Sequence, residues 1–160
     1  MATTTTEVQL ILEHLAARHE SLAVAESLTG GALGAAITSV AGASRVFLGG
    51  TISYHADIKV NQLGVPREII DSCGVVSEEV AAAMALGARK LFGSTWAIST
   101  TGVAGPADAD GIAAGTVWIS ISGPINHSAL LDIQGGREVV RNATVSSAIA
   151  AFERILSTRR

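Results

Sequence analysis

Ser27 is the side chain in this sequence that is best placed to act as a nucleophile. It follows the apolar run Leu22 to Ala25 and the acidic Glu26, and it precedes Thr29-Gly30-Gly31. A strand that leads into a helix through glycines places a hydroxyl beside backbone N–H groups, which can hold a phosphate or a developing oxyanion. A serine that only caps the helix fits the same pattern. Both roles stay open, and the segment lacks the Gly-x-Ser-x-Gly of a hydrolase nucleophile elbow.

A serine nucleophile needs a base, and Lys59 is a better candidate for that base than any histidine of the chain. A lysine that is desolvated near an active site can be neutral enough to accept a proton, although such a residue on a helix is more often solvated. Among the histidines at positions 14, 19, 55 and 127, only His55 falls near the candidate site, where it also fits as a polar residue at a strand end. Tyr54 lies five residues before Lys59, not the four of the Tyr-x-x-x-Lys pair of short-chain dehydrogenases. The absence of Gly-x-Gly-x-x-Gly also argues against that class.

Two further segments could bind an anion or orient a carbonyl group. The turn from Thr101 to Pro106 would expose several backbone N–H groups and one hydroxyl, although it could also be a simple surface turn. Arg137 and Arg141 stand at the start of the last predicted helix, where positive charge is unfavourable unless an anion or a carboxylate is nearby. This position favours a phosphate partner; exposure or a pair with Glu138 is the alternative, and for Arg141 we prefer that alternative.

The elements that must position these residues alternate between strands and helices. Continuous apolar runs predict buried strands, and apolar residues three and four positions apart predict helices. Threonines before residue 7 are expected to cap the first helix. Gly49-Gly50 interrupts the second strand and indicates a bulge or a close approach of the backbone. We predict strands at 22–25, 46–54, 95–101, 116–122 and 128–133, and helices at 7–19, 32–37, 56–63, 66–72, 78–92 and 138–157.

This order of elements predicts an α/β fold, a three-layer αβα sandwich around a mixed, mostly parallel sheet with an antiparallel hairpin near the C-terminus. Ligands in such sheets bind beyond the carboxyl ends of the strands. Ser27, Tyr54 and the turn at Thr101-Gly102 would all lie at that edge. The composition shows no abrupt break, so we expect one domain over residues 1–160.

Composition limits the classes of function. Charges and glycines interrupt every apolar run before the roughly 20 residues of a membrane span, and no secretion signal opens the chain, which predicts a cytoplasmic protein without a membrane partner. The net charge of −3, with 11 basic residues, leaves no broad cationic surface for nucleic acid. The single Cys73 allows no intrachain disulfide and is expected to fill the core. The carboxylates Asp57, Asp108 and Asp110 lack the spacing and the histidines of a metal site.

Taken in order along the chain, several short motifs together resemble the CinA C-terminal domain family. Each motif is weak alone, but the ordered set covers nearly the whole chain. The matching positions are 25–31, 47–54, 59, 63–65, 74–81, 101–106, 115–117 and 137.

The resemblance implies a nicotinamide-nucleotide amidohydrolase that acts in pyridine-nucleotide salvage without a metal or another cofactor. Such an enzyme converts nicotinamide mononucleotide and water into nicotinate mononucleotide and ammonia. On the matching positions, Ser27 would attack the carboxamide carbon, Lys59 would take its proton and help to expel ammonia, and Tyr54 would support that exchange.

The same resemblance implies the residues that bind the substrate. Thr101 and Gly102 would orient the ribose or the carbonyl, Arg137 would bind the phosphate, and backbone donors would come from the turn after Ser27. Which turn binds the oxyanion and which the phosphate stays open. The expected binding residues are Thr29, Gly30, Gly31, Gly49, Thr101, Gly102 and Arg137.

Two other functions remain possible at this stage. Relatives usually carry a longer glycine-rich segment where this chain has residues 107–114, so the chain could be a pyridine-nucleotide-binding or regulatory module that lost hydrolysis. A structural or competence-associated interaction protein would instead need an exposed apolar patch. The Ala- and Gly-rich helices at 32–39 and 80–89 could support close subunit packing, which leads us to expect a homo-oligomer.

Overall fold

A five-stranded sheet runs through the middle of the molecule, with helices on both faces. The structure is a computed structural model and describes residues 2–159. Its helices are α1 (Ala2–Ala17), α2 (Ala32–Thr38), α3 (Ala56–Leu63), α4 (Arg67–Cys73), α5 (Glu78–Phe92) and α6 (Arg137–Thr158). Its strands are β1 (Leu22–Glu26), β2 (Phe47–Ile52), β3 (Trp96–Gly102), β4 (Thr116–Ser122) and β5 (His127–Asp132). A single 3-10 turn, Ala43–Arg45, was not predicted.

The sheet has the strand order β2-β1-β3-β4-β5. β1 pairs in parallel with β2 and β3, and the remaining two ladders are antiparallel. Two apolar clusters fill the spaces on either side: α1, α2 and α6 pack on one face, and α3 and α5 pack on the other. The predicted three-layer αβα arrangement with a mixed sheet is therefore confirmed.

Parallel pairing explains why the candidate residues come together. Because β1 and β3 run in the same direction in adjacent positions, their carboxyl ends, at Glu26 and Gly102, reach the same edge of the sheet. β2 ends at Ile52 opposite Glu26, so the chain enters the loop at Tyr54 from that edge too. The bulge expected from the two glycines is present, since the β1–β2 register shifts between Leu22 and Ala23.

Helix α3, which carries Lys59, packs unusually close to α5. A Cβ atom added at Gly87 of α5 would lie 2.0 Å from the carbonyl oxygen of Leu63. Only glycine lets the two helix backbones approach this closely. Ser77 caps α5 by accepting from the N–H of Val80, and Glu78 and Glu79 in its first turn suit the helix dipole, as predicted.

Two sequence expectations about local structure were wrong. Helix α1 begins at Ala2, so the threonines expected to cap it lie inside it, and Thr4 Oγ1 lies 3.5 Å from Ser146 Oγ on α6. Packing against α6 therefore extends the helix beyond its apolar pattern. Cys73 is exposed and does not fill the core, because the short helix α4 that ends there buries none of its residues.

The β4–β5 hairpin turns at the edge of the sheet opposite the candidate residues, because β4 runs antiparallel to β3. Its turn, Pro124 to Asn126, is exposed, and the Asn126 side chain accepts from the N–H of Gly123. Within residues 2–159, no helix combines the length and the apolar character that crossing a membrane requires.

A polar cluster at that same edge joins the segment after α1 to the residue after α6 and to the first residue of β3. Both carboxylate oxygens of Glu20 accept from Arg159 Nη1 at 2.8 Å, and one also accepts from Trp96 Nε1 at 2.7 Å. The Arg159 guanidinium lies 5.1 Å from the Trp96 ring centroid. The side chains of Glu20 and Arg159 are only 13% and 23% exposed, so solvent screens this pair less than a surface pair.

We expect Glu20→Gln to lower the free energy of unfolding by about 1–3 kcal/mol, because it removes the charge from two hydrogen-bonded contacts in a partly buried place. Urea unfolding followed by tryptophan fluorescence would measure the change. Glu13→Gln is the matched control, since Glu13 is exposed and accepts only from Gln9, and we expect a change within about 0.5 kcal/mol. Equal losses in the two variants would contradict the role of the cluster.

Candidate active site

Ser27 and Lys59 meet at the carboxyl edge of the sheet. Ser27 stands just beyond β1, where its N–H donates to Thr100 O at 3.0 Å, and it is 7% exposed. Lys59, on α3, is 2% exposed, and its Nζ lies 2.9 Å from Ser27 Oγ. The two residues are 32 positions apart in the sequence, and parallel strands followed by helices bring them together.

The Lys59 amine is held by three oxygen atoms and lies beside no carboxylate that pairs with it. Besides Ser27 Oγ, its Nζ contacts Ser53 O at 2.8 Å and Tyr54 O at 3.0 Å. None of the ion pairs among residues 2–159 includes it. Burial lowers the pKa of Lys59 from 10.5 to about 8. A substantial fraction of the amine is therefore neutral near physiological pH, and its lone pair can accept a proton.

Ser27 and Lys59 open onto a cavity of about 720 Å³ at this edge. Tyr54, Thr101, Gly102 and Arg137 line the same cavity, so the structure brings these predicted site residues together. The further lining residues include Leu28, His55, Cys73, Val75, Val76, Gly105 and Asp110.

Tyr54 contributes to the site at two separate places. Its backbone carbonyl contacts the Lys59 amine and lies 3.5 Å from Ser27 Oγ. Its hydroxyl accepts from Arg137 Nη2 at 3.1 Å, and the ring is exposed at the mouth of the cavity. The phenol therefore lies toward the arginine, while the carbonyl contacts the Ser27–Lys59 pair.

Thr101 and Gly102 shape the wall of the cavity opposite Tyr54. The Thr101 hydroxyl donates to Val75 O at 2.8 Å, which fixes the segment before α5. A Cβ at Gly102 would lie within 3 Å of Thr116 and Val117, so β4 requires glycine there. Arg137 Nη1 donates to Gly105 O at 2.8 Å. Arg137 thus joins the start of α6 to the loop after β3.

In the Thr29-Gly30-Gly31 turn, which was expected to offer backbone donors to the substrate, the N–H groups of Gly30 and Gly31 donate within the protein instead. The carboxylate of Glu26 occupies the N-terminus of α2 and accepts from the N–H groups of Gly31, Leu33 and Gly34 at 3.2, 2.8 and 3.0 Å. The N–H of Gly30 donates to Ser27 O, and the fully buried Thr29 hydroxyl contacts Thr100 Oγ1. None of these three turn residues lines the cavity.

Gly49 also lies away from the cavity. It pairs with Ala23 near the start of β1, at the opposite end of the strand from Glu26. Its φ is +145°, and a Cβ there would lie 3.2 Å from the ring of Phe92. The bulge and the ring of Phe92 thus account for a glycine at this position.

Two other side chains have different roles from those expected. Arg141 is half-buried and donates from Nε to Leu28 O and from Nη2 to Thr29 O, both at 3.0 Å, so it fixes the turn after Ser27. His55 is the N-cap of α3, where its Nδ1 accepts from the N–H of Asp57. Sequence reasoning missed the role of Glu26 although an acidic residue before a glycine-led helix was a usable signal.

No group of three His, Cys, Asp or Glu side chains among residues 2–159 is arranged to hold a metal ion. The arrangement instead offers a serine hydroxyl, an amine with a lowered pKa and an exposed guanidinium in one cavity. These groups suit acyl transfer from a substrate that carries an anionic group.

Known proteins match both the sequence and the fold. Residues 4–156 match the model of the CinA C-terminal domain. A CinA-like protein of Synechococcus sp. (strain RCC307) is 43% identical over 144 residues, 88% of this chain and 34% of the relative. A CinA-like protein of Nostoc punctiforme is 38% identical and covers 96% of this chain, which spans 38% of that relative. The chain thus spans about a third of the length of these curated relatives.

Two crystal structures superpose along almost the whole chain. Competence damage-inducible protein A of Klebsiella pneumoniae has a TM-score of 0.94 at 30% identity and covers 98% of this chain and 99% of its own. A competence/damage-inducible protein of Agrobacterium tumefaciens has a TM-score of 0.91 at 28% identity and covers 97% and 96%. Together with the matching family model, these similarities show that the chain belongs to the CinA C-terminal domain family.

Proposed function

We propose that this chain hydrolyses the carboxamide of nicotinamide mononucleotide to nicotinate mononucleotide and ammonia, with Ser27 as nucleophile and Lys59 as base. The observation that carries the proposal is the 2.9 Å contact between Ser27 Oγ and a buried Lys59 Nζ. Family membership supports the proposal at the level of the fold and the matching motifs.

The contacts of Lys59 suit its role as a base. A neutral amine has two N–H groups and one lone pair, and the carbonyls of Ser53 and Tyr54 are two acceptors for the N–H groups. The lone pair is then directed at Ser27 Oγ, the third contact. In this protonation state the serine hydroxyl donates to Lys59.

The reaction then follows two acyl-transfer steps. Ser27 Oγ attacks the carboxamide carbon while its proton moves to Lys59 Nζ, which leaves a negative tetrahedral oxygen. Lys59 returns the proton to the amide nitrogen, the C–N bond breaks, and ammonia leaves an ester on Ser27. Water loses a proton to Lys59 and attacks the ester, and the released Ser27 oxygen recovers that proton as the carboxylic acid departs.

The tetrahedral oxygen needs a hydrogen-bond donor beside Ser27. The N–H of Leu28, the residue after the nucleophile, donates to no acceptor among residues 2–159, and Leu28 lines the cavity. We propose it as a donor to the oxyanion. The hydrogen bond from Arg141 to Leu28 O holds this peptide in place.

The mouth of the cavity suits the rest of a pyridine nucleotide. Arg137 uses two of the five guanidinium N–H groups for Gly105 and Tyr54, so others remain for a phosphate. The exposed Tyr54 ring beside it offers a face to the positively charged pyridine ring. A cytoplasmic location and assembly into a homo-oligomer fit this function and remain proposals.

We expect the purified protein to release ammonia from nicotinamide mononucleotide without added metal, and Ser27→Ala or Lys59→Ala to abolish release while the protein stays folded. A coupled ammonia assay measures turnover, and circular dichroism checks the fold. Nucleotide-dependent thermal stabilisation without ammonia would instead indicate a binding module. Full turnover by both variants would reject the two catalytic roles.

We expect kcat/KM to rise as the pH increases through about 8, because only neutral Lys59 accepts the serine proton and burial lowers the pKa of Lys59 to about 8. Below that pH the rate should fall about tenfold per pH unit. Initial rates between pH 7 and pH 9.5 test this, a range in which the substrate phosphate, with a second pKa of about 6, stays doubly ionised. A flat profile over this range would contradict the base.

We expect Arg137→Gln to raise KM for nicotinamide mononucleotide about tenfold or more, because a charge-assisted phosphate contact is lost. Nicotinamide riboside lacks the phosphate, so its kcat/KM should change less than threefold. Arg45→Gln is the control, since it removes the same charge from an exposed residue that contacts only Gly42. Equal effects of Arg137→Gln on both substrates would argue against phosphate binding.

A further inference from the structure

We propose that Glu26 is a positioning residue for the nucleophile, an inference that rests on the proposed function. Its buried carboxylate fixes the turn after Ser27 and thereby holds Ser27 Oγ against the Lys59 amine. Glu26 is 2% exposed, although it carries an ionisable group and belongs to the strand that ends at the cavity.

Three hydrogen bonds from backbone N–H groups compensate the buried carboxylate for the hydration that it loses. One of its oxygens accepts from Gly31 and Leu33, and the other accepts from Gly34. These donors open α2, where the helix dipole also favours negative charge. The first donor, Gly31, stands five positions after Glu26, so the carboxylate closes a short loop whose first member is Ser27.

The peptide groups on either side of this loop lead to the reacting atoms. Glu26 O accepts from the N–H of Ser53 at 2.8 Å, and Ser53 O in turn contacts Lys59 Nζ at 2.8 Å. Glu26 thus directly precedes the nucleophile Ser27 in the chain, and its carbonyl is linked to the Lys59 amine through Ser53. A shift of Glu26 would move Ser27 Oγ, the N–H of Leu28 and one acceptor of Lys59 relative to one another.

A carboxylate is required because all three partners are donors. Glutamine has the same length, but it has one acceptor oxygen and an NH₂ group that would face N–H groups. Aspartate keeps the charge and is one methylene shorter, so it cannot reach all three donors without a backbone shift. Glu26→Gln therefore tests the charge and the number of acceptor oxygens, whereas Glu26→Asp tests the length of the side chain.

The test measures the reactivity of Ser27 independently of any natural substrate. A fluorophosphonate forms a bond between Ser27 Oγ and phosphorus, fluoride leaves, and the serine proton passes to Lys59. Intact and peptide mass spectrometry locate the adduct, and Ser27→Ala is the blank. Rates are measured at pH 7.5 and at pH 9.5, where most of Lys59 is neutral.

We expect Glu26→Gln to lower the second-order labelling rate about 10- to 100-fold at both pH values, since small displacements of reacting groups have effects of this size. The labelling rate of Glu26→Asp should lie between those of Glu26→Gln and wild type. If Glu26→Gln does not fold, Glu26→Asp replaces it as the test. Glu20→Gln is the matched control, because it alters a partly buried carboxylate at the other edge of the sheet. Its rate should stay within twofold of wild type.

Several outcomes would overturn the inference. One is a wild-type labelling rate in folded Glu26→Gln, or in Glu26→Asp where that variant replaces it. Another is an equal loss of labelling rate in Glu20→Gln. A third is a loss of rate in Glu26→Gln that disappears at pH 9.5, because it would reflect only the protonation of Lys59. Absence of labelling in the wild-type protein would overturn both this inference and the nucleophile. Normal labelling without ammonia from nicotinamide mononucleotide would reject only the proposed substrate.

Discussion

The site depends on keeping the amine of Lys59 out of water. An ammonium loses much hydration free energy when it is buried, and none of the ion pairs among residues 2–159 compensates Lys59 for that loss, so burial lowers the pKa of Lys59 to about 8 and makes its neutral form accessible near physiological pH. The neutral form requires two acceptors for its N–H groups and a donor for its lone pair. The Ser53 and Tyr54 carbonyls and the Ser27 hydroxyl meet this requirement, and the close packing of α3 on α5 excludes solvent.

The helices α2 and α6 differ in how their N-termini are used. Many α/β proteins bind a ligand anion at the helix after the first strand, but here Glu26 of the same chain satisfies that helix. The start of α6 is different, because its N-cap residue Gly136 has no side-chain cap and Arg137 lies at the cavity. Under the proposed function we therefore expect the anionic group of the substrate to bind at the mouth of the cavity and not beside Ser27.

Patterns of apolar residues predicted the order of the helices and strands, because the spacing of apolar residues and the residues that form turns are local properties of the sequence. That order in turn predicted the edge of the sheet at which Ser27, Tyr54 and Thr101 meet. The partners of polar side chains could not be predicted in this way. Arg141 stands four residues after Arg137, and nothing local indicates that it contacts the turn after Ser27. Gly49 was assigned to a ligand because glycine permits close approach, and Gly31 because its turn could supply backbone donors. A phenylalanine ring lies beside Gly49, and the Glu26 carboxylate accepts from the N–H of Gly31.

The exposed β4–β5 turn lies at the edge of the sheet farthest from the cavity. The side-chain hydrogen bond that closes it is local, from the N–H of Gly123 to the Asn126 side chain, and so ties the turn to no residue of the opposite edge. Residues 124–126 therefore offer a place to attach a fluorophore or to immobilise the protein on a surface. A probe there would leave access to Ser27 unobstructed and would let ligand binding be recorded on a tethered molecule.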